Sequence, residues 1–288
     1  AVAFAKRRVA RIYSGYWPFF LLTLGYFAWL GGGRLANAQL IRSALLWPTE
    51  LRYLLLPVSW TLIYEMFFYL LFTILIATSG ARRGLIIKGL MFVVAAWGLY
   101  SGFGRHAYDP GRLEAMSVYE LYTAFPYLLE FLAGSLVAAW LRNRPEGMAW
   151  TFLIAGIALF LSGGWINDSV FQGRLVQGYY IIWRVPIFGT ASVLILCGLV
   201  RLENRGRIIA PRFSVLAGGA SYALYLCHTL ILDVAYRLGL TAWLAQSPGW
   251  LAQSALILIA ALIVLYSMVH YLWVERPIHR LFRTLLKA

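Results

Sequence analysis

The chain has 288 residues, of which 61% are hydrophobic and only 12% charged. A water-soluble domain of that length exposes far more charge, so the composition excludes one and points to a membrane protein. The net charge of +14 sits at the ends of apolar segments rather than on a face with aromatic platforms, which argues against nucleic acid as a partner.

The opening "AVAFAKRRVARIY" begins without methionine and lacks the ordered charge, apolar core and cleavage site of a signal peptide, so the chain is expected to begin mid-protein. Eight apolar runs then follow that approach the roughly 20 residues a bilayer needs. They are predicted at Ile12 to Leu30, Val58 to Thr78, Leu85 to Ser101, Tyr119 to Leu141, Ala149 to Gly164, Ile181 to Val200, Ser214 to Leu238 and Leu251 to Trp273. The fold class expected is all-α, a polytopic transmembrane helical bundle forming one domain over residues 1–288. Between the first two runs, "ANAQLIRSALLWPTELRYLLL" is apolar but broken by Arg42, Pro48, Glu50 and Arg52, and reads as an interfacial or re-entrant piece. Cys197 and Cys227 both lie inside apolar runs, with neither disulfide nor metal-ligand spacing, and are expected to be packing residues; no metal site is expected.

Lys and Arg residues divide 17 to 8 between the two sides of these spans, Arg144 being counted with the larger group. Positive loops stay in the cytoplasm, so both termini are expected there.

Two spans carry polar residues where they cost most. A charged side chain at mid-span costs about 3 kcal/mol on insertion scales, so Glu65 in "PVSWTLIYEMFFYLLFTILIATSG" requires a partner or a cavity. Thr61, Glu65, Tyr69 and Thr73 share one helical stripe, with Trp60 and Tyr64 at its outer end. In "GGASYALYLCHTLILD", Ser221, Tyr225 and His228 share a face with Tyr222 beside it. Helical rise puts Glu65 and His228 at similar depths in the outer half of the membrane, where they could meet. A structural pair that fixes packing and a functional site both remain open. Glu130, followed by Gly134 and Ala138 at small-residue spacing, is read as a packing feature.

In "KRRVARIYSGYW", Lys6, Arg7, Arg8 and Arg11 serve as a cytoplasmic anchor beside an interfacial belt of Tyr13, Tyr16 and Trp17. The sharper alternative is phosphate binding, for which the guanidinium fork is suited.

Together "KRRVARIYSGYW", "WTLIYEMFFYLLF", "SYALYLCH" and "VERPIHRLFR" resemble, in the same order, segments of the membrane-bound acyltransferase family 3, in particular its exopolysaccharide and O-antigen acetyltransferases. The resemblance implies transfer of an acyl group, usually acetyl, from cytoplasmic acyl-CoA to a hydroxyl of a polysaccharide or lipid-linked glycan at the inner membrane. It implies Arg7, Arg8 and Arg11 as acyl-CoA-binding residues and Glu65 and His228 at the intramembrane site; Trp60, Ser221, Tyr222 and Tyr225, on the same two helices, are expected to bind substrate. Ser14 and Gly15 replace a frequent family proline, a change expected to affect only the local helix start. The family is expected to have about ten spans with an Arg and a catalytic His on the first; the present chain resembles the family from its third span on, so that His is expected outside these residues. Two rival readings are a glycan or lipid transporter, whose polar stripes would line a pathway, and a non-catalytic membrane scaffold.

Overall fold

A computed structural model describes residues 1–78, 80–123, 126–143, 148–208 and 211–287. Residues 124 and 125, in the fourth expected span, and Arg144, in the charge count, lie outside the described residues. The described residues form helices and loops, with no strand among them. The long helices are α1 (Val2–Trp29), α2 (Trp60–Ala77), α3 (Gly80–Leu99), α4 (Tyr127–Asn143), α5 (Ala149–Ser169), α6 (Thr190–Asn204), α7 (Arg212–Arg237), α8 (Gly249–His270) and α9 (Arg276–Leu286).

Among the described residues, seven helical stretches are long and apolar enough to cross a membrane, and they coincide with the second to eighth expected spans. The protein is a polytopic helical bundle. The first expected span lies in α1, a 28-residue helix that is not among the seven. Its four cationic residues, Lys6, Arg7, Arg8 and Arg11, together with Tyr13, Tyr16, Trp17 and Pro18, dilute its apolar character without breaking the helix.

Two helical stretches pass through prolines by widening into π turns. Val185–Gly189 contains Pro186, and Tyr271–Glu275 ends two residues before Pro277 on α9. The wider turn relieves the clash between a proline ring and the carbonyl one turn back. Consequently the last stretch runs from Gly249 to Leu286, past the expected end at Trp273.

The chain divides into two compact units, Ala1–Ile74 with Pro211–Ala288, and Leu75–Ala210. In the first unit α1 packs on α7 and α9, and α7 packs along α8. The broken segment before α2 folds against α1 rather than lying free. Tyr16 donates to the Ser43 carbonyl (2.8 Å), Tyr13 to Leu45 (2.7 Å) and Trp17 Nε1 to Ala44 (3.0 Å). The Ser43 hydroxyl accepts from the Leu55 amide (3.1 Å), and Leu54, Leu55 and Leu56 are buried. Irregular backbone inside a membrane protein needs such partners, and this piece has them. Tyr16 is fully buried, which corrects its place in an interfacial belt: its hydroxyl satisfies a loop carbonyl instead of facing headgroups.

In the second unit α5 and α6 are in backbone contact. A methyl group on Gly156 would lie 2.7 Å from the Ile195 amide nitrogen, and one on Gly198 2.7 Å from that of Leu153. Close approach through small residues is the usual means of association where lipid removes the hydrophobic drive. Gly134 contrasts with them, since a methyl group there would touch nothing within 4 Å, so the small-residue packing expected beside Glu130 is not formed at that position. Glu130 instead lies on the wall of an apolar cavity of about 630 Å³, opposite Gly189.

Candidate functional site

The polar stripe of α2 meets the polar face of α7 in the first unit. Tyr225 OH donates to the Val58 carbonyl (3.0 Å) and accepts from Thr61 Oγ1 (2.8 Å). One turn further along α2, Tyr69 OH donates to Glu65 Oε1, and Thr73 Oγ1 donates to the Tyr69 carbonyl (2.6 Å). These bonds hold the carboxylate on the seam rather than in lipid.

From α1, the Ile12 carbonyl accepts from Tyr222 OH (2.9 Å). This contact is possible because residue 15 is glycine. A methyl group there would lie 2.2 Å from the Tyr222 ring and 3.3 Å from the Glu275 carboxyl carbon. The Ser14–Gly15 departure therefore reaches beyond the helix start, which lies well upstream at Val2. It admits the Tyr222 ring against α1.

The result is a pocket of about 350 Å³ lined by Arg11, Ile12, Thr61, Leu62, Glu65, Ser221, Tyr222 and Tyr225. Of the residues singled out in the sequence it gathers Arg11, Thr61, Glu65, Ser221, Tyr222 and Tyr225. Arg8 stands one turn away on α1, its guanidinium carbon 5.0 Å from the centre of the Tyr69 ring and 5.2 Å from that of Phe4. Arg7 is exposed, and Trp60 packs edge-on to Tyr64 with ring centroids 5.7 Å apart; neither lines the pocket. His228 is half-buried, with Nδ1 3.3 Å from the carbonyl of Leu224 and its ring 5.7 Å from that of Tyr225. It lines no part of the pocket and makes no hydrogen bond or ion pair with Glu65 among the described residues.

Two neighbours of the pocket escaped the sequence reading. Glu275 is only 6% exposed, its Oε2 has no hydrogen-bond partner among the described residues, and Arg11 supplies positive charge that acts on it. His279, one turn later, places Nδ1 3.3 Å from Ser14 Oγ. The Glu-Arg-Pro stretch was visible as a motif, but nothing in spacing along one chain connects it with Gly15. Arg11 forms no ion pair within 4.0 Å with either carboxylate among the described residues, so its guanidinium is available to an anionic group.

The acyltransferase domain model, Acyl_transf_3, matches residues 1–271. The chain belongs to the acyltransferase-3 family. It is also 29% identical over 280 residues to the exopolysaccharide production protein ExoZ of Rhizobium meliloti, covering 94% of this chain and 74% of that protein. No solved structure matches the chain. The acyltransferase-3 match spans every residue that lines the pocket but not Glu275 and His279, whose contacts come from the geometry alone.

Proposed function

We propose that this protein is an O-acyltransferase of the inner membrane, with both termini cytoplasmic. It takes an acyl group, acetyl in the first instance, from cytoplasmic acyl-CoA to a sugar hydroxyl of an exopolysaccharide or other surface glycan, presented as polysaccharide or on a lipid carrier. The observation that carries this reading is the single pocket that joins Arg11 to Glu65, a free guanidinium beside a carboxylate held inside the bundle. Family membership supports acyl transfer, the similarity to an exopolysaccharide production protein supports a glycan acceptor, and the division of basic residues supports the orientation.

In this reaction the sugar oxygen bonds to the thioester carbonyl carbon, the carbon–sulfur bond breaks, the hydroxyl loses its proton and the departing thiolate takes one up. Arg11, with Arg8 behind it, is assigned the anionic donor. Glu65 is assigned the acceptor, whose hydroxyl can donate to the carboxylate oxygen that Tyr69 leaves free. Ser221, Tyr222 and Tyr225 supply the polar rim. The general base is not assigned to a residue of this chain, because His228 stands outside the pocket.

The test supplies labelled acetyl-CoA to membranes containing the protein and measures label in polysaccharide. Glu65→Gln should lower incorporation about tenfold or more, the cost of one charge-assisted hydrogen bond. Wild-type incorporation by that variant would remove the pocket from the reaction. Glycan export without label transfer would favour a transporter.

A further inference from the structure

A pocket of about 350 Å³ lies near the lower end of small-ligand sites, roughly 300–1,000 Å³, so an acyl-CoA would leave its phosphates outside. The elements at the Arg11 end of the pocket show what those phosphates would meet.

Helix α9, taken with its flanking residues Glu275 and Lys287, has three stripes. Glu275, His279 and Phe282 face α1: the carboxyl of Glu275 lies under Gly15, His279 meets Ser14, and the Phe282 ring stands 5.6 Å from that of Trp17. Leu281 and Leu285 form an exposed apolar stripe. The third stripe, Arg276, Arg280, Arg283 and Lys287, is wholly basic and exposed. Among the described residues none of its members forms a salt bridge. Arg283 lies one turn beyond His279 and Arg11 one turn before Ser14, so both flank the Ser14–His279 contact. His279 feels the charge of both arginines. Glu65 and Glu275 stand near Arg11, but among the described residues neither forms an ion pair with it or with Arg283. The cationic groups thus outnumber the carboxylates and favour a bound anion, and Arg11 lines the pocket itself.

We propose that α9 completes the donor site, with Arg283 and His279 joining Arg11 to hold phosphate groups of the acyl-CoA nucleotide at the mouth of the pocket. This rests on the donor reading above and extends it to a helix at the other end of the chain. Positive-inside anchoring accounts for basic residues near the cytoplasm, but it does not require them to be aligned beside a ligand-lining arginine.

The experiment titrates coenzyme A, and separately pantetheine, which lacks phosphate, into the full chain in nanodiscs of neutral lipid. Arg283→Gln should weaken coenzyme A binding about tenfold and leave pantetheine binding unchanged, and Arg283→Lys should restore part of the loss. Where pantetheine binds too weakly to read, the Lys rescue decides. Wild-type affinity in Arg283→Gln, equal weakening of both ligands, or no rescue by Lys overturns the proposal. Repeating the titration with anionic lipid separates the sources of phosphate: if lipid alone abolishes the difference between wild type and Arg283→Gln, the stripe reads headgroups and the donor assignment falls. Transfer from labelled acetyl-CoA provides the remaining distinction. A wild-type protein that binds and uses acetyl-CoA while Arg283→Gln is silent refutes this inference alone, whereas a wild-type protein that does not bind coenzyme A refutes the donor reading and this inference with it.

Discussion

Gly15 is the position where the least chemical change should do the most damage. Any Cβ there collides with a Tyr222 ring tethered at its far end to the Ile12 carbonyl, so the ring cannot swing aside without losing its bond. Gly15→Val should destabilise the protein by about 1–3 kcal/mol, the range for overpacking a filled interior. A fall in thermal midpoint, read by fluorescence-detected size exclusion in detergent, checks this; a variant that melts with the wild type would show that the ring has another place to go. At this scale the sequence was informative where chemistry and period coincide. Glu65, Ser221 and Tyr225 recur on helical faces that cannot both face lipid, and the pocket joins those faces. Glu275 could not be found that way, because an acid beside Arg276 at the edge of a span reads as surface until its burial against α1 is known.

The spans of α2 to α8 were legible at the element scale for a simple reason: hydropathy over about 20 residues is a strong signal and bilayer thickness fixes its length. What hydropathy could not convey was association. Gly134 and Gly198 look alike in an apolar helix, yet only the second touches a neighbouring backbone. Gly198→Leu should therefore separate α5 from α6 and lower the yield of folded protein severalfold, while Gly134→Leu should leave it near wild type. Equal yields from the two variants, measured as monodisperse protein per cell mass, would contradict the contact. The broken segment before α2 was legible as an interruption but not as a folded object, since its stability comes from hydroxyl and indole donors on α1 that a local reading assigns to the membrane interface.

For the molecule as a whole, the proposed orientation has a direct test. The basic residues divide 17 to 8 between alternate sides of the eight expected spans, a bias that supports cytoplasmic termini by the positive-inside rule. With Cys197 and Cys227 replaced by serine, Ala1→Cys and Lys287→Cys should react with an impermeant maleimide only after the membrane is opened, whereas Arg174→Cys should react in intact spheroplasts. The opposite pattern would invert the protein and move Arg11 and Arg283 away from a cytoplasmic donor.

The π turn at Tyr271–Glu275 has a consequence of its own for how this protein can change. Such a turn holds about one residue more than the α-helical turn it replaces, so in genetic terms it behaves as an absorbed insertion. Deleting Val274 would close it to a regular turn with α9 still in phase, whereas removing one residue from the regular helix of α8 would rotate everything beyond it by about 100°. Glu275 would leave Gly15 and His279, with Arg283 one turn beyond it, would leave Ser14 together. The carboxylate beneath the pocket and the basic stripe beside it are thus phase-locked, and their common clock is the length of the chain rather than the identity of any residue in it.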